Sequence, residues 1–113
     1  MSQDLINDRG EHFRCSNGFW AAALVLAQEY GWVQAGTVDP LQGPTDGQWT
    51  GRYSLNNGQV VRTEDADEIG AALERALQTL PDVPQAGWLL RGEFRQHVVV
   101  LAKFCRHGRF RIY

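Results

Sequence analysis

Apolar positions recur with a helical period in three stretches of the chain. In the first, Phe19, Ala23, Leu26 and Tyr30 fall on one stripe and Trp20, Leu24 and Ala27 on the next, leaving Gln28 and Glu29 to water. This spacing predicts a helix over 18–30. Ser16 or Asn17 offers a side-chain oxygen to its first free amides, and Gly31 supplies the stop. A second helix is predicted to start with Thr63 as its cap. Glu64, Asp65, Asp67 and Glu68 crowd its first turns, where the positive end of the macrodipole favours anions. Ile69, Leu73, Ala76, Leu77 and Leu80 form its buried stripe, and Pro81 ends it. The third stretch, 93–107, turns Phe94, Val98, Leu101, Phe104 and Cys105 inward. Its run Val98, Val99, Val100 is β-branched, so a strand competes with the helix there.

A period of two marks the region between the first two helices. Trp49, Gly51, Tyr53 and Leu55 alternate with Thr50, Arg52 and Ser54, and Asn57-Gly58 then precedes the return run 59–62. Asn-Gly suits a type I′ turn because both central residues need positive φ, so a hairpin over 48–62 is predicted. Two strands alone are marginal, and this ribbon must lean on a helix. Residues 1–17 have no helical period; Gly10 interrupts them, and 11–15 reads as a short extended piece. Residues 32–47 read as a loop punctuated by Gly36, Pro40, Gly43, Pro44 and Gly47. Past Gly108, Phe110 and Ile112 alternate with Arg109 and Arg111 as a short extended tail. The expected fold is mainly α with a small β-hairpin (α+β), a three-helix single domain over 1–113. Its core should hold Phe19 or Trp20, Leu24, Ala27, Ile69, Leu73, Leu77, Leu80, Phe94, Val98, Leu101 and Phe104.

Charge changes this picture. Residues 1–90 hold five basic residues against twelve acidic ones, whereas 91–113 hold six against one. A basic tail threaded with Phe94, Phe104, Phe110 and Tyr113 needs an acidic neighbour. Its own acidic body is the simplest, ahead of a second copy, another protein or a nucleic acid. A hydrophobic content of 43% with 21% charge argues against global disorder. The first ten residues carry charges and no apolar run, so no signal peptide is expected. No apolar run approaches the ~20 residues that span a bilayer. Cytoplasmic residence with reduced thiols follows as the expectation.

Candidate chemistry is thin. His12, Cys15, Cys105 and His107 are zinc-type donors, but neither pair has the usual knuckle spacing and no Cys-x-x-Cys is present, so no metal or other cofactor is expected. Cys15 follows Arg14 and precedes a helix start, which would lower its pKa, yet no oxyanion-hole signature accompanies it. The glycines of 43–47 lack the Gly-Lys-Ser/Thr ending of a phosphate loop. Glu64, Asp65, Asp67 and Glu68 could pair for acid–base work, but complementing the helix dipole explains them better. No catalytic residue is therefore assigned. Arg106, Arg109 and Arg111 could neutralise phosphates while Tyr113 stacks on a base, against the repulsion of the acidic remainder.

The run Gly10-Glu11-x-Phe13-Arg14-x-Ser16-Asn17, Tyr30-Gly31-Trp32-x-x-Ala35-Gly36-Thr37, Trp49-x-Gly51-x-Tyr53, Asn57-Gly58-Gln59-x-Val61 and Phe104-Cys105-Arg106-x-Gly108-x-Phe110-x-Ile112 resembles a group of small bacterial proteins of unknown function. The resemblance implies a bacterial, cytosolic single domain and no catalytic residues. The chain departs from that pattern at Arg109, where a second Gly is expected. The leading functional expectation is a non-catalytic protein-binding module, of the immunity, inhibitor or accessory-regulator kind. Trp32, Trp49, Tyr53 and Trp88 would be its interface anchors, and Glu64, Asp65 and Glu68 an acidic face for a basic partner. Nucleic-acid binding through Arg106, Arg109, Arg111 and Tyr113 is the alternative, and a Cys/His metal or thiol site the third. A second copy is a further candidate partner, and a membrane is not.

Overall fold

The computed structural model describes residues 2–37, 53, 58–78 and 92–113. Residues 38–47 of the loop predicted over 32–47, the outgoing hairpin strand, Leu80 and Pro81 lie outside the described residues, Tyr53 excepted. In chain order the elements are β1 (Ser2–Asn7), β2 (His12–Ser16), α1 (Asn17–Glu29), β3 (Gln59–Val61), α2 (Thr63–Leu77), α3 (Gly92–Cys105) and β4 (Phe110–Ile112). The strands form one antiparallel sheet in the order β2-β1-β4-β3. The fold is α+β, but its β part among the described residues is a four-stranded antiparallel sheet, more than one small hairpin.

The extended piece expected over 11–15 is β2, whereas β1 was hidden and β4 was legible only as an extended tail. In β1, the inward positions alternate Gln3, Leu5 and Asn7, so two of three buried side chains are polar and the apolar period vanishes. Asn7 turns inward to build the β1–β2 turn. Its Oδ1 accepts from the amides of Arg9 (3.0 Å) and Glu11 (2.9 Å), and Gly10 takes a φ of 78° that a side chain would strain. β4 is the predicted tail, too short to read as a strand alone. It lies between β1 and β3, and the amides and carbonyls of Asp4 and Tyr113 bond reciprocally at 3.0 and 2.7 Å. The return run of the predicted hairpin is β3, and its partner among the described residues is β4.

α1 begins where the sequence placed it: Ser16 Oγ accepts from the Phe19 amide at 3.0 Å. Its far end is closed by Gly31, with φ 105°, and by Arg75 of α2, whose Nε and Nη2 donate to the Tyr30 carbonyl at 3.0 and 2.7 Å. α2 differs at its start. Thr63 is already helical, Arg62 occupies the cap position, and no side chain caps the helix. Glu64 and Asp65 in the first turn compensate through the dipole. α3 is helical through its valine run because Val98 is fully buried, and packing outweighs the weak β preference. Phe94, placed in the core by periodicity, is 45% exposed; it lies a turn ahead of the buried part of the stripe.

The helices cover one face of the sheet. Leu5, Val61, Phe110 and Ile112 point up from the strands to meet Trp20, Leu26, Ile69, Leu73 and Leu101, all fully or nearly fully buried. Phe13 packs its ring between Phe19 and Phe104, with centroids 6.3 and 6.2 Å away, and Phe110 meets Trp20 and Phe104. No helix among the described residues is long and apolar enough to cross a membrane.

Candidate functional site

The densest polar cluster is buried and built around Asp65. This residue sits one turn before Ile69 on the inward stripe of α2, so the helix itself drives the carboxylate into the core. Trp32 Nε1 donates to Oδ1 at 2.8 Å and the Tyr53 hydroxyl donates to Oδ2. The same hydroxyl accepts from the Gly36 amide at 2.8 Å, and Trp20 Nε1 donates to the Tyr53 carbonyl at 2.8 Å. The Trp32 and Tyr53 rings meet edge to face at 5.2 Å. Burial, then the bond to Asp65, pushes the Tyr53 phenol above its ordinary pKa.

This cluster corrects the expected interface. Trp32, Tyr53 and Asp65 are 2%, 5% and 3% exposed, so they bind the chain to itself and present nothing to a partner. Glu64 and Glu68 are exposed, and Trp49 and Trp88 lie outside the described residues. The signal was available in the sequence. A carboxylate at 65 shares the stripe of Ile69, Leu73 and Ala76, and a buried carboxylate requires donors that Trp and Tyr supply.

The thiols are likewise withdrawn. Strand alternation turns Cys15 to the core and Arg14 to water, so the adjacent cation expected to activate Cys15 is on the other face. Burial, with the charge of Asp4 adding to it, pushes the Cys15 thiol up to about 12. Cys105 is fully buried and shifted the same way by burial and then by the charge of Asp65. Both are free cysteines. His12 is three residues from Cys15 on one strand and so projects from the opposite face, where its Nε2 lies 2.8 Å from Asp4 Oδ1. His107 Nδ1 lies 2.8 Å from Glu11 Oε1. The four candidate zinc donors do not converge, and no group of three or more such ligands forms among the described residues.

The basic tail docks on its own body. Arg106 Nε meets Asp67 at 2.7 Å and its Nη1 meets Glu74 at 2.9 Å, while Arg109 Nε reaches Asp8 at 2.7 Å. Arg106 and Arg109 are thus engaged within the chain, and Arg106 is on the helix side. Arg111 and Tyr113 lie on the other side, on the face of the sheet that no helix covers among the described residues. There the register sets Ile6 between His12 and Arg111, and Asp4 between Arg14 and Tyr113. Ile6 is 37% and Tyr113 46% exposed, and Arg14 and His12 stand further out still. Val60 joins the row beside Arg111. The result is an apolar and aromatic centre rimmed by the Arg14 and Arg111 guanidinium groups and the His12 imidazole, in which Asp4 is the one carboxylate among the residues just named. The sequence singled out Arg111 and Tyr113 for a binding surface and His12 as a zinc-type donor; Ile6, His12 and Arg14 join the first two only through the pairing of β1 with both its neighbours.

A second exposed feature lies at the sheet's side. Glu11, His12 and Phe13 on one wall and Val100, Lys103, Phe104 and His107 on the other enclose a groove of about 220 Å³. Phe13 and Phe104 form its floor. Glu11 is held by Asn7 Nδ2 (2.7 Å) and His107, and these bonds keep its carboxyl below the ordinary value.

No family model, curated protein or solved structure matches this chain.

Proposed function

We propose that the chain is a non-catalytic binding domain that engages an acidic surface of another protein through the open face of its sheet. One observation carries this reading: a half-exposed Tyr113 and Ile6 surrounded by Arg14, Arg111 and His12. Tyr and Arg are the residue types that dominate interface energetics when they surround a partly dry centre. Burial withdraws both thiols from this surface, and the Asp65 carboxylate is taken up by Trp32 and Tyr53 in the core, so none of these groups contributes here. A photo-reactive side chain at Tyr113 should yield one discrete protein adduct in the source cells, and Arg111→Glu should abolish it. The same probe at Glu64 on α2 should give none; equal labelling from both positions rejects the proposal.

Arg111 beside the Tyr113 ring favours one second reading, single-stranded nucleic acid laid across the sheet. An adduct destroyed by nuclease, with affinity falling steeply as salt rises, would select it over a protein partner.

A further inference from the structure

The side of the sheet offers a second kind of contact, carried by main-chain groups and a groove that the open face does not use, though it shares His12 and Arg14 with that face. The Asn7 amide donates to the Glu11 carbonyl at 3.1 Å, which fixes the phase of the antiparallel ladder. Residues 11, 13 and 15 turn their main-chain groups toward β1; His12 and Arg14 turn theirs away from the sheet. Among the described residues no strand lies beyond β2. Along this edge runs the groove floored by Phe13 and Phe104, with Val100 on its far wall 44% exposed.

We infer that the β2 edge takes up an extended segment of another protein as a fifth strand, one with an apolar residue between two acidic ones. The pleat dictates the pattern. A residue opposite Phe13 shares its face and projects over the groove, whose Phe13, Phe104 and Val100 lining suits an aliphatic side chain. Its two neighbours project to the opposite face, beside His12 and Arg14. Those two side chains are 51% and 70% exposed, and Asp4, one strand further in, is the carboxylate they share. Lys103 stands on the groove rim with no ion-pair partner among the described residues, while the groove's Glu11 is already bonded to Asn7 and His107. Arg14 and Lys103 therefore set positive charge along the edge itself, with the His12 ring on the same edge, and the carboxylates sit behind them. A second copy of this chain fits poorly. Pairing β2 with β2 would bring the two Arg14 side chains onto one face without a new carboxylate to receive them, and like charges there repel. Main-chain bonds would supply the affinity and the groove the selectivity, as in other strand additions.

The test selects short random peptides displayed on phage against the whole chain, then follows amide exchange by NMR. Enriched peptides should share the acidic–apolar–acidic pattern, and their addition should slow exchange at His12 and Arg14. The Phe13 and Cys15 amides, already turned to β1, should not change. Arg14→Glu should weaken binding about fivefold, and Val100→Asp or N-methylation of the peptide's edge amide about tenfold or more. Arg14 and Val100 are surface positions, and circular dichroism would verify that each variant folds. No enrichment over the Val100→Asp chain overturns the inference. So do binders that leave the His12 and Arg14 amides unprotected, and so does protection of those amides by dimerisation alone. Each of these results leaves the Tyr113 adduct of the sheet face unaffected.

Discussion

Asp65 is the residue on which most of the local order depends. Its two oxygens are bonded to Trp32 and Tyr53, and through Tyr53 it holds Gly36. Asp65→Ala would leave an indole N–H and a phenol O–H unpaired in the core. Chemical denaturation should then show a loss of about 3 kcal/mol, against about 1 kcal/mol for Tyr53→Phe, which removes a single bonded hydroxyl. Equal losses would mean the network is not acting as a unit. The Cys15 thiol makes a pH prediction. Its pKa is about 12 in the fold against an ordinary 9.0. Folding therefore favours the protonated thiol. That contribution is complete below pH 9 and is lost as pH rises toward 12, and Tyr53 acts in the same sense above its ordinary value. Melting temperature should fall across that alkaline range, and Cys15→Ala should flatten the fall.

At the scale of elements, the approach of α2 to α3 turns on Gly70. A Cβ there would lie 2.9 Å from the Ala102 carbonyl and 2.7 Å from Arg106 Cδ. The missing side chain is the notch in which the Arg106 stem lies, with Asp67 and Glu74 receiving its guanidinium from either side. Ala has a helix propensity about 1 kcal/mol better than Gly. The Arg106 stem can move but the Ala102 carbonyl belongs to a packed helix, and overpacking costs about 1–3 kcal/mol. Gly70→Ala should thus destabilise. Gly18, in the first turn of α1, has nothing within 4 Å of its Cβ position. Gly18→Ala should stabilise by up to about 1 kcal/mol. Thermal melts of the pair should move in opposite directions.

For the molecule as a whole, the question raised by its charge is why the basic tail stays down. Arg109 and Asp8 are 59% and 67% exposed, and such pairs contribute roughly 0–1 kcal/mol. Phe110 and Ile112 are 1% and 0% exposed, and each buried side chain of this kind contributes about 1.5–3 kcal/mol. Apolar burial and the ladder bonds to β1 and β3 therefore hold the tail, and charge only dresses it. Molar salt should leave the tail in place, read as unchanged chemical shifts of Phe110 and Ile112. Removing 110–113 takes out an interior strand and should abolish the cooperative thermal transition.

The helices were legible because their apolar period, the Ser16 cap and the Gly31 stop are local properties of the chain. The run 59–62 and the tail were legible as extended pieces for the same reason. What each piece pairs with was not, because strand partners are chosen between residues some fifty to a hundred positions apart and no local pattern encodes that choice. The inward Gln3 and Asn7 masked β1. A carboxylate on an apolar stripe was written in the sequence at Asp65, but only packing showed that Trp32 and Tyr53 answer it. The open face, with Tyr113 brought beside Asp4 and Arg111 beside Ile6, exists because the two ends of the chain meet in adjacent strands. Local chemistry sets which segments coil and which extend; the face that gathers Ile6, Arg111 and Tyr113 arises only when distant strands pair.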